Sequence, residues 1–69
     1  MEQVEFKDRL LELRQEKRLS QKRLSELTGI PEITIRQYEK GLRSPGIEPI
    51  KILAKFFGCT AGYLIGIEH

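Results

Sequence analysis

A chain of 69 residues, 39% hydrophobic and 32% charged with a formal net charge of +2, has the composition of one small globular domain. That length permits a limited core and leaves no room for a deep substrate pocket with its walls. No apolar run approaches the roughly 20 residues that span a bilayer. The acidic start, Met1-Glu2-Gln3-Val4-Glu5-Phe6, lacks the apolar stretch of a signal peptide. The single cysteine, Cys59, has no partner for an internal disulfide, so a reducing, cytoplasmic setting is expected.

Five helices can be placed along the chain, and no strand. The first covers about residues 5–17, where Phe6, Leu10 and Leu13 recur on one face and Lys7, Arg9, Glu12 and Glu16 are expected elsewhere. Ser20 suits the N-cap of a second helix over about 21–28, with Leu24 and Leu27 turned inward. Gly29 then supplies a tight exit, because glycine takes positive φ at no steric cost. Pro31 opens a third helix, which runs to about residue 40 and stops at Gly41, with Ile35 and Tyr38 inward.

Residues 41–46, rich in glycine and proline, read as a loop. The fourth helix runs from about 47 to 57, tolerates Pro49 in its first turn and buries Ile50, Leu53, Ala54 and Phe57. After Gly58, Thr60 caps a short fifth helix that Gly66 ends. Short loops between five short helices make an all-α domain.

Charge is unevenly spread. Between Arg14 and Arg43 eight basic residues face four acidic ones, a local +4, while the remainder carries −2. Positive potential is thus concentrated mid-chain, where an anionic partner would dock. On charge alone, an ordinary solvated surface is the simpler reading.

The stretch 19–41 is more informative. It is two short helices joined at Gly29, with Leu24, Ile30, Ile35 and Tyr38 spaced to lock them together and small Ser25 allowing close approach. A helix-turn-helix needs this arrangement to push its second helix into a major groove. Ile33 stands two residues, or about 200°, from Ile35 and should point outward. It is flanked by Glu32, Thr34, Arg36 and Gln37. Glutamine can pair with adenine, arginine with guanine, and an apolar side chain can meet a thymine methyl. Single exposed apolar residues are common, so Ile33 by itself decides nothing.

With these segments in view, the chain resembles the phage repressor and Cro-type helix-turn-helix regulators, the Xre family. The matching pieces are Leu10-Leu11-Glu12-Leu13-Arg14, Leu19-Ser20-Gln21, Leu24-Ser25, Gly29-Ile30, Ile35-Arg36-Gln37-Tyr38-Glu39-Lys40-Gly41, Pro45, Leu53-Ala54-Lys55 and Tyr63-Leu64-Ile65-Gly66. They cover about residues 6–66 in order and spacing. The resemblance implies a compact, five-helix, lambda-repressor-like DNA-binding domain.

The resemblance also implies roles. Pro31, Glu32, Ile33, Thr34 and Gln37 match base-facing positions, and Arg36 stands beside them. Gln21 matches a glutamine that reaches the DNA backbone and braces the reading helix, and Lys22 and Arg23 follow it. Lys40, Arg43 and Ser44 match a loop that grips phosphates. Arg14 and Glu39 match a structural ion pair. Tyr63, Leu64, Ile65 and Ile67, with Ile47, make the C-terminal end apolar; some of them must complete the core, and the resemblance suggests that the rest of the first four form a two-fold interface. A homodimer would place two reading helices about 34 Å apart over a palindromic operator in double-stranded DNA.

The chain departs from the family pattern at four places. Ser25 replaces alanine, Thr28 a larger aliphatic, and Pro31 a capping Ser or Thr, while Glu32 puts an acid at the front of the reading helix. These departures bear on which sequence is read more than on whether DNA is read.

Other residues point nowhere else. Cys59 is expected to act as a small hydrophobe, and His69 is the only histidine and the last residue. No cysteine–histidine cluster suggests a metal, no nucleophile–base arrangement suggests an enzyme, and no cofactor is expected. The remaining rival is a protein-interaction module of the antitoxin type, with a toxin as its main partner.

Overall fold

The computed structural model describes residues 5–67, so the expectations placed on residues 1–4 and on His69 lie outside it. The chain folds as α1 (Phe6–Glu16), α2 (Gln21–Thr28), α3 (Glu32–Glu39), α4 (Ile47–Phe57) and α5 (Ala61–Ile65), in the expected order. No helix among the described residues is long and apolar enough to cross a membrane.

Local chemistry accounts for most helix ends. The Ser20 hydroxyl accepts the Arg23 N–H at 2.9 Å, and the Thr60 hydroxyl accepts that of Tyr63 at 3.0 Å. Gly29 closes α2 at φ 78°. Thr28, on the turn before it, donates its hydroxyl to the Leu24 carbonyl at 2.7 Å and accepts the Ile30 N–H at 3.3 Å. A threonine where an aliphatic residue is commoner thus ties down the turn rather than filling space. Pro31 gives α3 no side-chain cap, but its carbonyl accepts the Ile35 N–H at 3.1 Å. Past α1, Arg18 takes the left-handed conformation at φ 55°, a role usually left to glycine.

The helices close on one core to which each contributes. Leu10, Leu24, Ile35, Leu53 and Leu64 are fully buried, joined by Ile30, Tyr38 and Ala54. Phe6 packs edge-on against Tyr38, with centroids 5.4 Å apart at 77°. Burying each such aliphatic side chain stabilises the fold by about 1.5–3 kcal/mol. The packing sequence is α1 against α3 and α5, α2 against α3 and α4, and α4 against α5.

Three expectations need correction here. Leu27 is 44% exposed instead of inward, because it lies at the edge of the stripe centred on Leu24 and α4 does not reach over it. Arg9 is 8% exposed instead of solvated. It sits three residues from Phe6, and α5 covers that side, placing the Tyr63 ring 3.8 Å from its guanidinium carbon. Its Nη1 lies 3.5 Å from Glu12, whereas Nε has no hydrogen-bond partner. Leu64 is 0% exposed, so it belongs to the core and not to a surface interface. Tyr63, half-buried under Arg9, offers less than expected, whereas Ile65 and Ile67 remain exposed.

Candidate nucleic-acid interface

Ile35 and Tyr38 bury the inner face of α3, which leaves the opposite face to solvent. Ile33 is 54% exposed there. Pro31 and Arg36 are exposed beside it, with Glu32 and Gln37 half-exposed. Thr34 departs from the expected set: at 8% exposure it turns in beside Tyr38, one helical turn further on, and presents little surface for a base. Glu32 and Arg36 meet across one turn at 3.6 Å, so the acid at the front of the helix is partly neutralised by its own neighbour.

The orientation of α3 is set by a clamp at its C-terminal end. Arg14 Nε donates to Glu39 Oε2 at 2.6 Å and Nη2 donates to Oε1 at 2.9 Å, a two-pronged pair. Arg14 Nη1 also donates to the Leu19 carbonyl at 2.8 Å, and Gln21 Nε2 donates to Glu39 Oε1 at 3.0 Å. One carboxylate therefore ties α3 to both α1 and the start of α2. The hydrogen bonds that Arg14 donates to Glu39 hold its guanidinium above an arginine's ordinary pKa, burial opposes that, and the Coulombic pull of Glu39 adds to it. The guanidinium stays charged throughout the neutral range.

Two groups of cations lie around the C-terminal end of α3, which Gln21 and Glu39 tie to the start of α2. Lys22 and Arg23 are exposed at the start of α2, and Arg23 lies 3.3 Å from Glu26. Lys40, Arg43 and Ser44 are exposed in and around the 41–46 loop. Gly41 turns the chain out of α3 at φ 73°. Lys7, off the apolar face of α1 as expected, lies against this loop, a contact of which the sequence offered no sign. Cys59 packs against the core from between α4 and α5, and burial raises its pKa against a smaller opposing effect of Arg9. Among the described residues no group of three or more His, Cys, Asp or Glu is placed to hold a metal ion.

Comparison with known proteins agrees with this geometry. The helix-turn-helix family model matches residues 10–64. The transcriptional regulator AnsR of Bacillus subtilis is 41% identical over 61 residues, which are 88% of this chain and 53% of AnsR. The cryptic phage CTXphi transcriptional repressor RstR of Vibrio cholerae is 35% identical over 60 residues, 87% of this chain and 54% of RstR. The chain thus spans about half the length of these curated relatives. Among solved structures, the restriction-modification controller protein C.AhdI of Aeromonas hydrophila superposes with a TM-score of 0.78 at 34% identity, covering 86% of this chain and 89% of that one. A helix-turn-helix match over most of the chain, on a five-helix fold with the outer face of α3 open, makes this protein a member of the Cro/C1-type (Xre) family of DNA-binding transcriptional regulators.

Proposed function

We propose that the chain binds a specific operator in double-stranded DNA by inserting α3 into the major groove, and that it represses transcription by blocking or positioning polymerase at the promoter. The observation that carries this reading is the row of exposed Pro31, Ile33 and Arg36 with half-exposed Gln37, on a helix anchored from behind by Glu39. A reading helix must present base-contacting groups without wobble, and a buried ion pair at its base supports that. Gln37 and Arg36 supply bidentate hydrogen bonding, and Ile33 supplies a surface for a thymine methyl. Gln21, Lys22, Arg23, Lys40, Arg43 and Ser44 take phosphates, which fix register and give salt-dependent affinity.

The protein acts as a homodimer on a palindromic site. Ile65 and Ile67, together with Ile47, leave apolar surface at the C-terminal end that a second copy would cover. Sedimentation showing a strict monomer both with and without operator would remove this part of the reading.

The decisive test is selection from a random duplex pool at about 150 mM salt, where non-specific phosphate binding is weak. A recovered palindrome that Gln37→Ala no longer enriches supports the reading. No enrichment by the parent protein overturns it and favours the antitoxin-like rival, in which a protein is the main partner.

A further inference from the structure

We infer that Lys7, at the start of α1, is a phosphate contact that extends the DNA-backbone grip beyond the helix-turn-helix and its loop. The inference rests on the DNA-binding reading above and adds a site to it. Lys7 is the second residue of α1 and precedes the first matching segment, which begins at Leu10, so nothing in those motifs points to it.

Three features place it. The first is the passage across Gly41. A Cβ built on Gly41 would stand 3.1 Å from Lys7 Cδ and 3.7 Å from Nζ, so the lysine stem crosses the loop where a side chain is missing. Gly41 therefore serves two ends: its φ of 73° turns the chain out of α3, and its bare Cα lets the lysine through. The second is the company the ammonium keeps. Lys7, Arg43 and Ser44 line one cleft of about 620 Å³ between the start of α1, the loop and the C-terminal end. Arg43 and Ser44 are the proposed phosphate ligands of the loop, so a third donor converges from a different helix. The third is availability. The Lys7 side chain is 41% exposed, and its ion pair is with Glu5 at 3.7 Å, whose side chain is 66% exposed. Such a loose surface pair is readily exchanged for a phosphate. Glu5 also faces the cleft, so it would compete with the phosphate for the ammonium and tune the contact.

An ammonium placed this way contributes a point charge with rotatable donors, which suits a backbone phosphate and carries no base information. Its signature is therefore in the salt dependence of binding and not in sequence preference. Each phosphate neutralised adds about 0.9 to the slope of log K against log salt.

The test compares the parent chain with Lys7→Met, Lys7→Arg and Lys55→Met by fluorescence anisotropy on a labelled mixed-sequence duplex. Methionine keeps an apolar stem over Gly41 and removes the charge. Lys55 is exposed near the far end of α4, so its variant matches the loss of net charge without touching the cleft. Between about 50 and 200 mM salt, the affinity ratio of parent to Lys7→Met should shrink about 3.5-fold, the change expected for one lost phosphate. Lys7→Arg should keep the parental slope and Lys55→Met should leave it unchanged. Thermal melting of each variant checks that the fold is intact. A parental slope for Lys7→Met, or the same slope change for Lys55→Met, overturns the inference while leaving DNA binding in place. No salt-dependent binding by the parent chain overturns the DNA-binding reading itself.

Discussion

Glu39→Ala should be among the most damaging single changes in this protein, although Glu39 is an acid on the helix proposed to face DNA. The substitution removes the acceptor of three hydrogen bonds, two from Arg14 at 2.6 and 2.9 Å and one from Gln21 at 3.0 Å. The side chains of Arg14 and Glu39 are 14% and 6% exposed, so Arg14 is left charged and largely out of water. Breaking one side of such a pair costs about 3–5 kcal/mol. Arg14 keeps some solvent contact and its bond to the Leu19 carbonyl, which favours the lower end, about 3 kcal/mol. Domains of this length hold roughly 0.05–0.15 kcal/mol per residue, or about 3–10 kcal/mol in all. The loss is therefore a third of the stability or more, and the melting midpoint should fall by about 12–24 °C. Urea titration followed by circular dichroism measures it. The double variant Arg14→Met, Glu39→Met should cost clearly less than the sum of the two single changes, because it removes both charges together. A cost for Glu39→Ala below about 1 kcal/mol, the range of exposed pairs, would refute the buried clamp. On the arginine side the raised pKa means that the stabilisation is fully present at neutral pH and is lost only as pH rises through the folded-state value, in strong alkali.

Other consequences follow from single positions. Gly29→Ala should cost about 1–2 kcal/mol from backbone strain alone, since φ is 78° and no atom lies within 4 Å of the added Cβ; an unchanged urea midpoint would argue against that conformation. Arg18→Gly should run the other way and raise stability by up to about 1 kcal/mol, because the non-glycine residue at φ 55° carries a similar strain. Cys59 should react with iodoacetamide at neutral pH more slowly than a free thiol and recover normal reactivity in urea, because burial favours its protonated form. For the same reason folding favours the neutral thiol: its stabilising contribution is present below the thiol's ordinary pKa and is lost as pH rises through the higher folded-state value.

The helix ends were legible because they depend on neighbours in sequence. Ser20 and Thr60 cap, and Gly29, Gly58 and Gly66 exit through positive φ, all within one turn of the residues they serve. The Arg14–Glu39 pair, 25 residues apart, was reachable only through the family resemblance, since no local pattern connects its halves. What escaped the sequence reading depends on which helix arrives from elsewhere. Arg9 is charged and adjoins an apolar stripe, and only the arrival of α5 with Tyr63 decides that it is covered. Leu27 has the opposite fate, because no helix closes over it. Thr34 sits between the two faces of α3, and the resemblance put it among the base-facing positions where the angle to Tyr38 turns it in. Leu64 looked like interface because a run of apolar residues at a chain end cannot be divided into core and surface without the packing. Lys7 lies close against the loop where Gly41, 34 residues later in the chain, lacks a side chain.

Titrating the isotopically labelled protein with an operator duplex and following its backbone amide resonances tests most directly whether α3 and its flanks form the DNA face. Amides of Gln21, Lys22 and Arg23, of Ile33, Arg36 and Gln37, and of Lys40, Arg43 and Ser44 should shift or broaden together at stoichiometric DNA. Shifts confined to α4 and α5, with α3 unmoved, would contradict the assignment of this surface to DNA.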